Sequence, residues 1–223
     1  MEKSNIFAVI PAYNEEKNIL DIVRKTKKYI SNVVVVDDGS RDRTKENAGK
    51  AGAVVLNHMI NLGKGAALKT GCDYAAKKNA DYIVVLDADA QHDPDDIPRF
   101  LEKLSKCDIV FSYRKSSRTM PLVLHFGNWF ISNFVNILYR VKLNDTQCGF
   151  RAFSKDAYKK IRWNASDYSM ESEMISRAGR QRLKYVQIPI QTIYSDKYKG
   201  TTVIDGMKIV LNMFWWRFAK NHR

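Results

Sequence analysis

The chain has 223 residues and a formal net charge of +13, from 37 Lys or Arg and 24 Asp or Glu. This length buries one substantial core, which favours one domain with an appendage over two full domains. Three cysteines (Cys72, Cys107 and Cys148) form no C-x-x-C pair and no even set, which argues against a disulfide scaffold and predicts a reducing compartment. Residues 1–5 lack the pattern of a signal peptide, so we expect cytosolic exposure.

The basic charge lies in the second half of the chain. Residues 1–111 contain 17 basic and 17 acidic residues, whereas residues 112–223 contain 20 basic and 7 acidic residues. A basic half beside a neutral half indicates an anionic partner, such as a membrane surface, a nucleic acid or a phosphorylated substrate. A solvated surface without a partner is the alternative.

The first predicted strand, residues 6–10, ends in a polar turn that begins at Pro11. Asn14 is the predicted cap of a helix that continues to about residue 30. Tyr13 either stacks on a base or packs on the core. No G-x-G-x-x-G pattern is present, so a dinucleotide fingerprint is absent.

The second predicted strand, residues 33–36, ends in Asp37 and Asp38, with Gly39 allowing a sharp turn and Ser40 as a predicted helix cap. One aspartate at such a strand end can accept hydrogen bonds from a base or a ribose hydroxyl, while the other braces the turn.

A third strand, residues 53–56, precedes a glycine-rich turn around Lys64. The turn is not a Walker A loop, because His58 and Gly65 occupy positions that need Gly and Ser or Thr. Lys64 either approaches a phosphate or only opens the helix predicted over residues 66–78.

The fourth strand, residues 82–86, is an apolar run typical of a buried parallel strand, and it ends at Asp87, Asp89 and Gln91. Residues two apart in an extended chain point the same way, so these oxygen-bearing side chains can converge. Close carboxylates favour a cation between them, and Mg²⁺ or Mn²⁺ suits oxygen ligands. The alternative is an acidic turn that caps the next helix, although Asp93 before a proline already fits the cap.

The order of strands and helices predicts an α/β fold with a mostly parallel sheet and helices on both faces, continued by a helix over 94–104 and a strand over 108–111. The polar, basic run 112–119 is a candidate lid. Its cationic side chains Arg114, Lys115 and Arg118 could reach phosphates.

Two segments are predicted amphipathic helices, 120–141 and 201–221. The first mixes large apolar residues with polar residues on one face, which favours a helix in the membrane interface over a span or over a helix packed on the sheet. The second ends with paired tryptophans beside basic residues, which suits the headgroup zone of a bilayer.

Between these segments we predict a turn into a strand at 144–153, a helix from residue 154, a helix over 169–180 and a strand over 184–193. Glu171 and Glu173 open the second of these helices. They either complement its dipole or lie near the reacting centre.

Five segments together resemble the family 2 nucleotide-sugar glycosyltransferases, which have the GT-A (Rossmann-like) fold. They are PAYNE at 11–15, VDDGS at 36–40, NLGKG at 61–65, DADAQ at 87–91 and DTQCGFR at 145–151. More narrowly, the chain is similar to polyprenyl-phosphate sugar synthases, the dolichyl-phosphate mannose or glucose synthase group. The resemblance covers essentially the whole chain.

The resemblance implies roles for individual residues. Asp87 and Asp89 with Gln91 would hold the metal, Mg²⁺ or Mn²⁺, and Asp87, Asp89 and Arg114 would act in catalysis. Pro11, Tyr13, Glu15 and Asp38 would hold the nucleoside. The remaining substrate-binding positions implied are Val36, Lys64, Ala88, Arg151, Lys197 and Lys199. Residues 1–119 would form the donor-binding half of a single catalytic domain, residues 120–200 the acceptor-binding half, and residues 201–223 a C-terminal amphipathic helix.

The expected reaction moves mannose or glucose, with inversion, from a GDP- or UDP-sugar to polyprenyl or dolichyl phosphate. A lipid monophosphate is already ionised near pH 7 and needs no strong general base, and metal and cationic groups stabilise the departing diphosphate. The protein would associate peripherally with the cytoplasmic face of a membrane.

Two other functions stay open. Transfer to a glycan or protein hydroxyl would need a carboxylate base, for which Glu171 and Glu173 are the candidates. A basic nucleic-acid-binding protein is disfavoured, because the excess charge is interleaved with large aliphatic residues and no recognised motif appears, so we expect no nucleic-acid partner.

Overall fold

Seven strands form one sheet in the computed structural model, which describes residues 4–114, 133, 136 and 141–191. The strands are β1 (Ile6–Ala12), β2 (Asn32–Asp37), β3 (Val54–Asn57), β4 (Tyr82–Val85), β5 (Ile109–Arg114), β6 (Arg151–Ser154) and β7 (Tyr185–Ile190). The helices are α1 (Ile19–Lys27), α2 (Thr44–Lys50), α3 (Lys64–Lys77), α4 (Ile97–Leu104), α5 (Lys155–Ile161) and α6 (Met170–Arg180), and a 3₁₀ turn spans Pro94–Asp96.

The strand order is β3-β2-β1-β4-β6-β5-β7. All pairings are parallel except those of β6, which runs antiparallel to both of its neighbours, β4 and β5. The predicted mostly parallel sheet is confirmed. The reversed direction of β6 was not predicted, because nothing in the sequence of residues 151–154 specifies it.

The strands are apolar without alternation because both faces of the sheet are covered. Val34 and Val36 face one core cluster, whereas Val33 and Val35 face the other. Helices α3, α5 and α6 pack on the first face, and α1, α2 and α4 pack on the second. The predicted arrangement of helices on both faces is therefore confirmed.

Two predicted helix caps are wrong, because their side chains join loops instead. Asn14 has a positive φ of 55°, and its Oδ1 accepts a hydrogen bond from Arg41 N at 2.9 Å. In return, Asn14 N donates to Ser40 Oγ at 2.9 Å. The loops after β1 and β2 are thereby tied together at the carboxyl edge of the sheet. The predicted cap at Asp93 is confirmed, since its carboxylate accepts from Asp95 N.

The structure also shortens the predicted lid. Strand β5 continues to Arg114, so residues 112–114 belong to the sheet, and residues 115–119 lie outside the described residues. Most of the helix predicted at 120–141 and all of that at 201–221 lie outside them as well. Asn136 is described as helical, and its side-chain amide bonds both backbone groups of Leu143, at 2.8 and 3.1 Å. Within the described residues, no helix combines the length and apolarity needed to cross a bilayer.

Candidate active site

A cavity of ≈ 570 Å³ opens at the carboxyl ends of β1, β2 and β4. This is the edge at which open α/β sheets bind ligands. Its lining consists of Pro11, Ala12, Tyr13, Asn14, Glu15, Asp38, Asn61, Gly63, Lys64, Ala67, Asp87, Ala88, Asp89, Gln91, His92, Arg114, Gln147, Cys148, Gly149, Tyr168 and Glu171. The set combines acidic, cationic and aromatic side chains.

Asp87 stands just beyond β4, and the loop before β6 presses against its carboxylate. A Cβ atom on Gly149 would fall within 3 Å of the Asp87 side chain. Only a glycine therefore permits this approach without a shift. The antiparallel strand β6 brings the Cys148 and Gly149 backbone to the acidic centre, which the linear order of the motifs does not reveal.

Lys64 links two acidic side chains in the cavity. Its Nζ lies 2.8 Å from Asp87 Oδ1 and 3.0 Å from Glu171 Oε1. Burial opposes the ammonium charge, but the charges of Asp87 and Glu171 outweigh it and raise the pKa of Lys64 well above its ordinary value. Lys64 thus stays cationic. Its Nζ also lies 5.6 Å from the centre of the Tyr168 ring, within cation–π range.

The pKa values of Asp87 and Asp89 shift in opposite directions in this environment. Burial would raise the pKa of Asp87, but the charge of Lys64 and the hydrogen bond from His92 hold it well below its usual range. For Asp89, burial and the charge of Asp87 both raise the pKa. Asp89 Oδ1 accepts from Gln91 N at 3.0 Å, across a turn in which Ala90 has a φ of 61°. A bound cation would favour the ionised form of Asp89.

The described residues fit a cation that is shared with a ligand. Among them, no group of three His, Cys, Asp or Glu side chains is arranged to hold a metal ion by itself. Asp87, Asp89 and Gln91 nevertheless lie together in the cavity lining and offer oxygen atoms. Mg²⁺ and Mn²⁺ accept such a set when substrate phosphates and waters complete the coordination. The donor set therefore suits a metal that binds together with a diphosphate.

Two of the predicted nucleoside-binding residues differ in exposure. Tyr13 is 43 % exposed in the cavity wall, so its ring is available for stacking. Asp38 is buried, and its carboxylate accepts from Leu62 N at 3.0 Å and from Gly63 N at 2.8 Å. Asp38 therefore braces the loop before α3 while it lines the cavity. Asp37 does not line the cavity, and its carboxylate accepts from Ser40 N.

Arg114 reaches the cavity from the end of β5. Its Nε donates to Asp145 Oδ2 at 2.6 Å and its terminal nitrogen to Asp145 Oδ1 at 3.1 Å. Burial opposes the ionisation of Asp145, but this guanidinium outweighs it and lowers the pKa of the carboxyl. Such a two-point ion pair fixes the plane of the guanidinium. Arg114 is thus oriented before any substrate arrives.

Two residues that the resemblance assigned to substrate binding lie outside the cavity. Val36 is fully buried in the core between the sheet and α3. Arg151 is 2 % exposed, and its guanidinium donates to the backbone oxygens of Thr146, Cys148 and Glu171 at 2.8, 2.8 and 3.1 Å. Arg151 therefore shapes the cavity lining from behind. Lys197 and Lys199 lie outside the described residues.

The two glutamates at the start of α6 differ in their surroundings. Glu171 lines the cavity, is 3 % exposed, and its Oε2 has no hydrogen-bond partner among the residues that the structure describes. Glu173 instead accepts from the backbone of Asn164 and Ala165 and pairs with Arg177. The geometry separates a cavity residue from a structural one.

Sequence reasoning gave no role to several other lining residues, among them Asn61, His92, Gln147 and Tyr168. His92 and Tyr168 lie outside the five segments that carry the resemblance, and no spacing signals them. Asn61 and Gln147 lie inside these segments, which is the one signal that could have marked them.

Comparisons with known proteins agree with this arrangement. The model of the family "Glycosyl transferase family 2" matches residues 7–162. The chain is 33 % identical to the UDP-N-acetylglucosamine–dolichyl-phosphate N-acetylglucosaminyltransferase of Methanococcus voltae, with 96 % of this chain and 97 % of that protein covered. It is 26 % identical to the undecaprenyl-phosphate mannosyltransferase of Micrococcus luteus, with 96 % and 94 % covered.

A solved structure supports the fold. Glucosyl-3-phosphoglycerate synthase from Mycobacterium tuberculosis, in complex with Mn²⁺, uridine diphosphate and phosphoglyceric acid, superposes with a TM-score of 0.78 at 18 % identity. The alignment covers 97 % of this chain and 79 % of that one. At this identity the likeness concerns the fold alone, which is that of the GT-A glycosyltransferases.

Proposed function

The chain belongs to glycosyl transferase family 2, and we propose that it transfers a hexose from a nucleoside diphosphate sugar to polyprenyl or dolichyl phosphate. One observation carries the proposal. The cavity places two adjacent carboxylates, Asp87 and Asp89, beside two cationic side chains, Lys64 and Arg114. This combination suits a diphosphate and its counter-ion.

The donor diphosphate would lie between the two sides of this cluster. Asp87, Asp89 and Gln91 would hold a divalent cation, Mg²⁺ or Mn²⁺, which when bound neutralises charge that develops on the leaving diphosphate. Lys64 and Arg114 would supply further positive charge there. Both are oriented by ion pairs, so little reorganisation is needed during the reaction.

The nucleoside would lie at the β1 and β2 side of the cavity. Pro11, Tyr13, Glu15 and Asp38 line that wall, and Ala88 lies between the two aspartates. The exposed ring of Tyr13 would stack on the base. The two relatives are named for N-acetylglucosamine and for mannose, so these sugars and the glucose expected from the sequence are all donors to test.

The acceptor would be a lipid monophosphate. Relatives with sequence similarity over almost the whole chain are named for dolichyl or undecaprenyl phosphate. Such a phosphate is ionised at neutral pH and attacks the sugar carbon directly, which inverts the anomeric configuration. Residues 112–223 carry the basic excess that would attract this anion, and Lys197 or Lys199 would contact it. The enzyme would act from the cytoplasmic face as a peripheral membrane protein.

A second candidate acceptor is a glycan or protein hydroxyl. Glu171 Oε2 favours it, because this oxygen lies in the cavity with no hydrogen-bond partner in the described part of the chain, and a hydroxyl nucleophile needs a positioned base. The ion pair of Glu171 with Lys64 argues the other way, since it already engages the carboxylate as a counter-ion.

The decisive experiment is a transfer assay with the full chain, a divalent cation, polyprenyl phosphate in detergent, and radiolabelled UDP- and GDP-sugars. We expect label in the organic phase from one donor, and none after chelation until Mg²⁺ or Mn²⁺ is restored. The Asp89→Ala variant should be inactive, whereas Asp156→Ala, which changes an exposed acidic side chain on α5, should be active. Label that reaches only a hydroxyl acceptor would overturn the lipid-phosphate assignment.

A further inference from the structure

The loop between β3 and α3 exposes three apolar side chains beside the cavity. Met59 is 97 %, Ile60 66 % and Leu62 47 % exposed. None of them lines the cavity, although their neighbour Asn61 does. Large aliphatic side chains clustered on one loop in contact with water mark an interaction surface rather than a packing element.

This loop is held in its exposed conformation. The Asp38 carboxylate accepts from the backbone of Leu62 and Gly63, and it contacts His58 Nδ1 at 2.7 Å. His58 Nε2 lies 3.0 Å from Thr70 Oγ1, which anchors the loop to α3. The apolar side chains are therefore presented on a fixed backbone. Binding of a partner then carries little entropic cost from ordering the loop.

The loop after β2 contacts this apolar loop and carries exposed positive charge. Gly39 packs so tightly on the backbone of Ile60 that a Cβ there would fall within 3 Å of it. Arg41 and Arg43 follow this glycine, and both are exposed. Apolar side chains that project beside cationic ones match the acyl boundary and the headgroups of an anionic bilayer.

The size of the surface also favours a bilayer over a protein. Three side chains on one loop fall well short of the roughly 800 Å² that each partner of a stable protein complex buries. A bilayer needs no such complementary area. The loop and the cavity share the carboxyl edge of the sheet, so a membrane at the loop would face the cavity mouth.

We propose that residues 59–62 insert into the surface of an anionic membrane, with Arg41 and Arg43 on its headgroups, and so turn the cavity toward the lipid phase. The orienting purpose of this contact rests on the proposed transfer to a lipid phosphate. The contact itself requires only the exposed side chains and their charged neighbours.

An environment-sensitive NBD fluorophore tests insertion directly. It is attached to Met59→Cys in a Cys107→Ser background of the full chain, since Cys107 is the one partly exposed cysteine among the described residues. With vesicles of equal parts phosphatidylglycerol and phosphatidylcholine, we expect the emission to rise and shift to the blue. The same label on Val54→Cys, at the opposite end of β3 and 44 % exposed, should not respond. An unchanged signal at Met59, or a rise with protein concentration alone, would overturn the inference.

An unlabelled double variant tests membrane binding without the fluorophore. The Met59→Ser, Ile60→Ser double variant should bind these vesicles about tenfold more weakly, while Val54→Ser binds as the parent does. Transfer to a water-soluble short-chain prenyl phosphate should be unchanged. Equal vesicle binding by the double variant would overturn the insertion. Insertion without lipid-phosphate transfer would instead contradict the proposed function alone.

Discussion

The ammonium of Lys64 lies 2.8 Å from the Asp87 carboxylate, so a side chain of the protein already neutralises part of the acidic centre. A fixed cation at this point can serve the leaving diphosphate as well. Lys64→Met should therefore lower kcat about a hundredfold, because charge developing in the transition state loses a preorganised partner.

The matched control for this prediction is Lys77→Met, at the exposed end of the same helix α3. Steady-state kinetics with a saturating acceptor would measure both variants. A rise in KM for the donor with kcat intact would show that Lys64 stabilises the bound donor and the transition state equally, contrary to the prediction.

A substitution of Glu171 discriminates between the two acceptor classes. If the nucleophile is an ionised phosphate, Glu171→Gln should reduce transfer less than about tenfold, since no proton has to be removed. If the nucleophile is a hydroxyl, the same change should cost about 10²–10⁴-fold. The measurement is kcat with each acceptor. Glu173→Gln is the control for a loss of activity caused by damage to the fold, because Glu173 bonds only structural partners in the described part of the chain.

Gly149 is predicted to be required for activity because it has no side chain. Gly149→Ala places a methyl group against the Asp87 carboxylate, which must then move from Lys64. We expect a loss of activity of at least about tenfold, because the Asp87 carboxylate leaves its position. The change in stability should be small, because the displaced atoms are the tip of a side chain that can rotate.

Gly49→Ala is the control for the glycine substitution. Apart from the backbone of its own helix, a Cβ at this position in α2 meets no atom of the described residues within 4 Å, so the variant should be fully active and more stable by about 0.5–1 kcal/mol. Activity assays paired with urea unfolding separate the two variants. A fully active Gly149→Ala enzyme would contradict the assigned role.

Arg151 should be a determinant of stability and not of donor recognition. Arg151→Met leaves three backbone oxygens without their guanidinium donor and should lower the free energy of unfolding by about 2–5 kcal/mol. Urea denaturation measures this effect. At a temperature where the variant is folded, its KM for the donor should change little, and a large selective increase in KM would contradict the structural assignment.

The central strands and the acidic cluster could be predicted because their signals are local. A buried parallel strand needs an unbroken apolar run, and the run before Asp87 supplies it. Residues two apart in a helix point to different sides, so Glu171 and Glu173 could be expected to part. Which of them faces the cavity could not be predicted, since only tertiary packing decides it.

Other expectations were wrong where the same side chain can make either a local hydrogen bond or a long-range one. Asn14 and Ser40 are good helix caps, yet their side chains bond the backbone of each other's loop, because that contact closes the carboxyl edge of the sheet. For Arg151 the resemblance implied a substrate-binding residue, whereas its position in β6 buries it. Neither the periodicity nor the composition of these segments records such long-range partners.

The late strand β6 has a consequence for how the protein is made. It lies between β4 and β5 but follows both in the chain, so a nascent chain that ends before residue 151 has two central strands with open edges. Such edges invite pairing with other chains. We therefore expect a ribosome-bound intermediate with β1 to β4 assembled, whose solubility depends on the arrival of four residues, Arg151–Ser154.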